Sequence, residues 1–245
     1  MTMLSPLAVA VFLPTALVVV AVFAVLWRER TSRRDARIAI ATGIVLAVWA
    51  IATTVLAWRG FFRPPAGATV PPVGASLIVV LLALALCLSV SVSLRRLLRN
   101  QANLIRLHLW RLEGLVFLVL MVQGRVPALW AVPAGVGDVL VGATAPWVAR
   151  GLELPGGRRR AIAWTLLGMA DLVVAVALGV MTNPGPTQVF HTAPNAEMLT
   201  GYPLALVPAF LVPLAFTLHV VSLVQLWRGT WGGETRQSNA IGGRP

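Results

Sequence analysis

Lysine is missing from this chain, because all 20 of its basic residues are arginine. That absence excludes a retinal or pyridoxal Schiff base and a phosphate-loop lysine, each of which needs a side-chain amine. A single cysteine, Cys87, excludes an intramolecular disulfide and a thiolate metal cluster, and its position in an apolar run points to simple packing. Charge of either sign is scarce, at 11% of residues, where a soluble domain carries roughly 25%. The sequence also has no HExxH helix, no GxSxG elbow and no Walker A loop, so no common catalytic motif assigns a reaction.

What is abundant is apolar sequence, at 58% of residues with a mean hydropathy of +0.84. Runs of about 20 apolar residues recur along the chain, each long enough to cross a hydrocarbon core roughly 30 Å thick. They cover residues 4–27, 38–58, 73–94, 104–123, 126–149, 161–181 and 204–227. The first lacks a basic leader and exceeds a signal-peptide core, so it is expected as a retained helix. The net charge of +12 does not indicate nucleic acid, since the arginines form short clusters between apolar runs. Seventeen of them, with Arg111 among them, follow alternate runs on one side, and Arg59, Arg63 and Arg125 fall on the other. Cytoplasmic loops retain arginine. The sequence therefore predicts an all-α integral membrane protein of about seven transmembrane helices, with the N-terminus outside and the C-terminus cytoplasmic. Residues 1–231 form one polytopic domain of a plasma membrane, and the Gly-rich 232–245 form a flexible tail.

Tryptophan supports these boundaries, because Trp27, Trp58, Trp110, Trp130, Trp147, Trp164 and Trp227 fall near run ends, where the amphipathic ring favours the headgroup level. Only Trp49 lies well inside a run. The fourth run is the exception in composition: it is purely apolar only over 115–122, and its inner turns hold Arg106, His108, Arg111 and Glu113. It reads as a true crossing, with a re-entrant hairpin through Gly124 and Pro127 as the alternative. Residues 182–203 are rich in Pro and Gly and are expected as a surface connector, or alternatively a lid.

Ionisable groups at membrane depth are costly and mark function by default. Asp138 and Asp171 both fall near the middle of their runs, in matching surroundings: Gly135 to Gly142 aligns without gaps to Gly168 to Ala175. Gly135, Asp138 and Gly142 share one helical face, and Gly168, Asp171, Ala175 and Gly179 share another. Small-residue stripes let helices approach, so these two faces are expected to pack together and bring the carboxyls close, with no intramembrane Arg or Lys partner. Two carboxylates in low dielectric then call for a shared proton or a bound cation. His219 is expected nearer the cytoplasm, on a run that Pro208 and Pro213 kink. Glu113 is expected as an interfacial anchor beside Arg111, with His108 in the same interfacial group. His191 and Glu197 belong to the connector surface. Ser89, Ser91 and Ser93 are expected to bond their own helix or its neighbours.

The expected function is a small-solute or proton-linked carrier using Asp138 and Asp171, with His219 and Glu113 as further polar site residues. Its partners are the lipid bilayer and a proton or small solute, not nucleic acid. A non-catalytic membrane scaffold is the alternative. An intramembrane enzyme is a third reading, with a metal held by Asp138, Asp171 and His219. The sequence does not identify a cofactor.

Overall fold

The computed structural model describes residues 5–65, 67–68 and 72–229, and among these residues all regular structure is helical. The expected tail, 232–245, lies outside the described residues. The helices are α1 (Pro6–Arg28), α2 (Arg33–Trp58), α3 (Pro72–Val90), α4 (Val92–Leu97), α5 (Gln101–Arg106), α6 (Gly114–Val122), α7 (Ala128–Arg150), α8 (Gly157–Thr182) and α9 (Val212–Arg228). Among the described residues six helices are long and apolar enough to cross a membrane: α1, α2, α3, α7, α8, and α9 together with the turn before it. No residue of α3 is buried, and its Val79, Leu82 and Leu86 are exposed. Such a surface suits lipid and not water. Cys87 is exposed on this same helix.

Local chemistry sets the helix ends. The Ser5 hydroxyl accepts from the Ala8 N–H and starts α1; Ser32 does the same for Asp35 and starts α2. The expected third run is interrupted at Ser91, whose hydroxyl accepts from the Leu94 N–H and starts α4 as a separate helix. Gly229, in the left-handed conformation, ends α9.

The arginine clusters gather at one end of the bundle. There Asn100 and Asn103 donate to Glu29 at 3.0 and 3.1 Å. Arg96 pairs with Asp35. Gln225 donates to the Leu98 carbonyl at 2.9 Å, and Arg158 donates to the Leu226 carbonyl at 2.8 Å. At the opposite, arginine-poor end the Tyr202 ring stands against Phe12 and Trp58. Asp35 also accepts from the backbone and hydroxyl of Thr31. Asp35→Ala removes all these acceptors at once and is expected to lower the thermal midpoint in detergent more than Arg96→Ala, whose side chain is half exposed. Equal shifts for the two variants would reduce the Asp35 role to its ion pair.

Two departures from α-helical winding position the centre. Residues 101–122 form one helical path, with α5 and α6 joined by the 3₁₀ stretch Leu107–Glu113. In 3₁₀ winding, residues three apart eclipse. His108, Arg111 and Gly114 therefore face the bundle in one column, while Leu109, Leu112 and Leu115 face outward in another. The second departure is the π turn Val207–Leu211, closed by the Val212 N–H on the Val207 carbonyl. Pro213, one residue further on, has no N–H to continue regular α winding. The kink expected from Pro208 and Pro213 takes this form.

Two tryptophans are not belt residues. Trp130 and Trp164 are buried, and their indoles donate to the Ala175 carbonyl at 3.0 Å and to the Thr144 hydroxyl at 2.9 Å. Exposed Trp58, Trp147 and Trp227 keep the belt character.

Candidate functional site

Arg111 is the hub of the interior. Its side chain is completely buried, which is costly for a cation unless the charge is paired and its donors are used. Nε donates to Asp138 Oδ1 at 2.6 Å, and Nη2 bonds Asp171 Oδ2. Nη1 reaches the Gly168 carbonyl at 3.4 Å and His219 Nε2 at 3.1 Å. One guanidinium thus ties α7, α8 and α9 to the 101–122 path, using the planar fork that only arginine offers.

Because a guanidinium has no acceptor, His219 Nε2 must accept. His219 is therefore neutral in this arrangement, with its proton on Nδ1. Its ring stacks on that of His108, with centroids 3.8 Å apart, and Trp164 closes over both. Both imidazoles are buried. Towards the arginine-rich end the polar path continues through Gln101, which bonds the Ser222 hydroxyl, and then Gln225.

Glycine makes these approaches feasible. A β-carbon at 137 would overlap Asp171 Oδ1. At 168 it would stand 2.5 Å from His219 Nε2, and at 114 it would stand 2.6 Å from both the Asp138 Cβ and the Gly135 carbonyl. A β-carbon at 142 would press on the backbone of Arg111 and Leu112.

These contacts correct several expectations. The stripe of Gly135 and Gly142 on α7 meets the 101–122 path and not α8, so the two Asp-bearing small-residue faces do not pack on each other. The carboxyls do have a basic partner, Arg111, which is not a loop residue but a buried one on the 101–122 path. Glu113 is not an interfacial anchor, since it is only 7% exposed and neither carboxyl oxygen has a hydrogen-bond partner among the described residues. His108 is likewise interior. His219 shares the Arg111 guanidinium with the Asp pair, with Nε2 3.1 Å from Nη1. The three-ligand metal site of Asp138, Asp171 and His219 does not form either. Among the described residues no group of three His, Cys, Asp or Glu is placed to hold a metal ion, and the guanidinium bonds all three side chains instead. Sequence reasoning missed Arg111, His108 and Gly114 as site residues. The signal was the period of three in Leu109, Leu112 and Leu115, which turns one side outward and presents the residue before each to the interior.

A cavity of about 90 Å³ leads to this centre, several times what one water molecule needs. It extends from Asn183, Leu199 and Thr200 at the arginine-poor end, between Leu77 of α3, Val176 of α8 and Val207 of the π turn, to Asp138. The 182–203 connector thus contributes wall residues and is not surface alone. A smaller cavity of about 10 Å³ adjoins it, sharing Phe117, Asp138 and Leu172, and has Glu113 in its wall.

Comparison with known proteins adds one finding: residues 70–227 match the family model described as Domain of unknown function (DUF8737), a stretch that holds every residue of this centre. Neither the curated proteins nor the solved structures include a match.

Proposed function

The chain belongs to the DUF8737 family, and from the geometry of its interior we propose that it is a proton-linked carrier of a plasma membrane, with Arg111, Asp138, Asp171 and Glu113 as the exchanging centre. In this reading the protein crosses seven times, with the N-terminus outside and the C-terminus in the cytoplasm. The six long helices and the 101–122 path supply the crossings, and the gathering of the arginine clusters at one end supports the orientation.

The observation that carries the reading is the cavity that reaches Asp138. Two carboxyls share one guanidinium there and Glu113 lies beside Asp138 in the adjoining cavity wall, so full ionisation of the three leaves two uncompensated negative charges in low dielectric, and bound protons relieve them. Protons are then exchangeable from the arginine-poor end through the cavity. On the other side the stacked His108 and His219, followed by Ser222 and Gln101, line the way to the arginine-rich end.

Infrared difference spectra of the purified protein between acid and alkaline pH test this. A carboxylic C=O band is expected that titrates in the wild type and loses intensity in Asp138→Asn and in Asp171→Asn, with helicity preserved. The same band in all three proteins would remove the exchange role.

A second reading, a scaffold in which the cluster only locks helices, is favoured by one observation: the complete burial of Arg111 across three helices. It predicts no titrating band that Asp138→Asn or Asp171→Asn removes, so the same spectra separate the two.

A further inference from the structure

The larger cavity has unusual chemistry for a water-filled vestibule. Its walls are apolar, with Leu77, Phe117, Leu172 and Val176 among them; Asn183 and Thr200 stand at its arginine-poor end and Asp138 at its inner end. At that inner end Asp138 spends only Oδ1 on Arg111, and in the wall of the small adjoining cavity Glu113, more than nine-tenths buried, has two oxygens without a partner among the described residues. Phe117 and Trp130 stand side by side with centroids 4.9 Å apart, and both line the cavity. An apolar body and a positive head are the ligand features that such a site complements. An anion is disfavoured, because Arg111, the cation at this end among the described residues, already bonds two carboxylates and has no face on the cavity. A neutral apolar molecule would leave the Glu113 charge unanswered.

We propose that this cavity binds a small primary alkylammonium ion, with Glu113 and the free oxygen of Asp138 as its counter-charge. The proposal rests on the proton-linked reading above and gives it a substrate class: a lipophilic amine that exchanges with the proton of the carboxyl centre. On binding, the ammonium replaces the proton on Glu113, which leaves through the cavity or the histidine side, and total charge is conserved. The charged group facing Glu113 is Asp138 from α7; α8 contributes only apolar Leu172 and α9 only apolar Val212, and Arg111 and His108 lie on its own helical path. The π turn contributes only apolar Val207 and Leu211. Arg111 is held by the two aspartates, so Glu113 is the carboxyl whose charge has no fixed answer.

Calorimetry on the full-length protein in detergent, with n-butylammonium as the probe, provides the test. Butan-1-ol and butyrate serve as its neutral and anionic counterparts. Measurement in two buffers of different ionisation enthalpy counts the protons released. The expected result is binding of butylammonium alone, with release of about one proton and up to about tenfold tighter binding per pH unit while Glu113 is protonated. Glu113→Gln should abolish that proton release and weaken binding at least about tenfold, a loss of about 1.4 kcal/mol. Val176→Phe fills the cavity from α8 without touching a carboxyl and should block binding in a protein that remains folded. Equal binding of butanol, preference for butyrate, or unchanged binding in Glu113→Gln would each overturn the proposal. Absence of butylammonium binding while the wild-type carboxyl band still titrates would overturn the ligand class and leave the proton-linked reading standing. Absence of both would remove both.

Discussion

Replacement of Arg111 by leucine is expected to be the most damaging single change in the molecule. It leaves Asp138 and Asp171 facing each other's vicinity with no cation, and Glu113 adds a third carboxyl. Removing one partner of a buried ion pair costs about 3–5 kcal/mol, and here one side chain is the partner of two. The Gly168 carbonyl and His219 lose a donor as well. The variant should either fail to accumulate in the membrane or unfold in denaturant titration earlier by about that amount. Arg111→Lys is expected to recover little, since an ammonium cannot reach two carboxylates, a carbonyl and an imidazole from one plane. Arg111→Leu combined with Asp138→Asn and Asp171→Asn should recover much of the loss, because it removes the orphaned charge along with its partner. A triple variant as unstable as the single one would mean that Arg111 matters through packing and not through charge.

The second large effect is expected at Gly137, a position with no side chain of its own. A methyl group there overlaps the Asp171 carboxylate, and relief requires either the carboxylate to leave Arg111 or α7 to move away from α8. Forced overpacking of this kind costs about 1–3 kcal/mol. Gly137→Ala should lower the denaturation midpoint accordingly and shift the carboxyl infrared band, since the Asp171 environment changes. Gly74→Ala is the matched control: nothing stands within 4 Å of its added carbon, and stability there should stay the same or rise slightly. Equal behaviour of the two glycine variants would show that α7 and α8 are not locked at this level.

The residues that build the centre were only partly legible in the sequence. Asp138 and Asp171 announce themselves because a carboxyl amid apolar residues is costly and stands out in the sequence. The six long apolar helices are equally plain, since length and composition alone mark them. Arg111 was hidden by an assumption of uniform winding: with Arg106 and His108 nearby, it groups with the cytoplasmic charges, and its long side chain gives no hint of direction. The partnership of the glycine stripes was hidden for a different reason. A stripe of small residues says that something approaches closely but not which helix does, and here the partner of α7 was the path with the least regular sequence. The same limit applies to Trp130 and Trp164, whose positions near run ends suit a headgroup belt but whose indoles are used inside the bundle.

The 3₁₀ stretch Leu107–Glu113 also has a consequence for reach. At about 2.0 Å per residue, against 1.5 Å in an α-helix, its seven residues gain about 3.5 Å of axial length. A segment that carries His108, Arg111 and Glu113 is thereby extended, so that few residues bring Arg111 from the arginine-rich end to the aspartates. The same tight winding is held by no long run of α-helical hydrogen bonds. Relaxing it to α would retract the chain by that length and turn the His108, Arg111 and Gly114 column out of alignment. The ion cluster and the winding of this segment are therefore two descriptions of one coupled coordinate: a carrier cycle that loosens Arg111 from Asp138 would shorten this helix, and one that shortens the helix would loosen the pair.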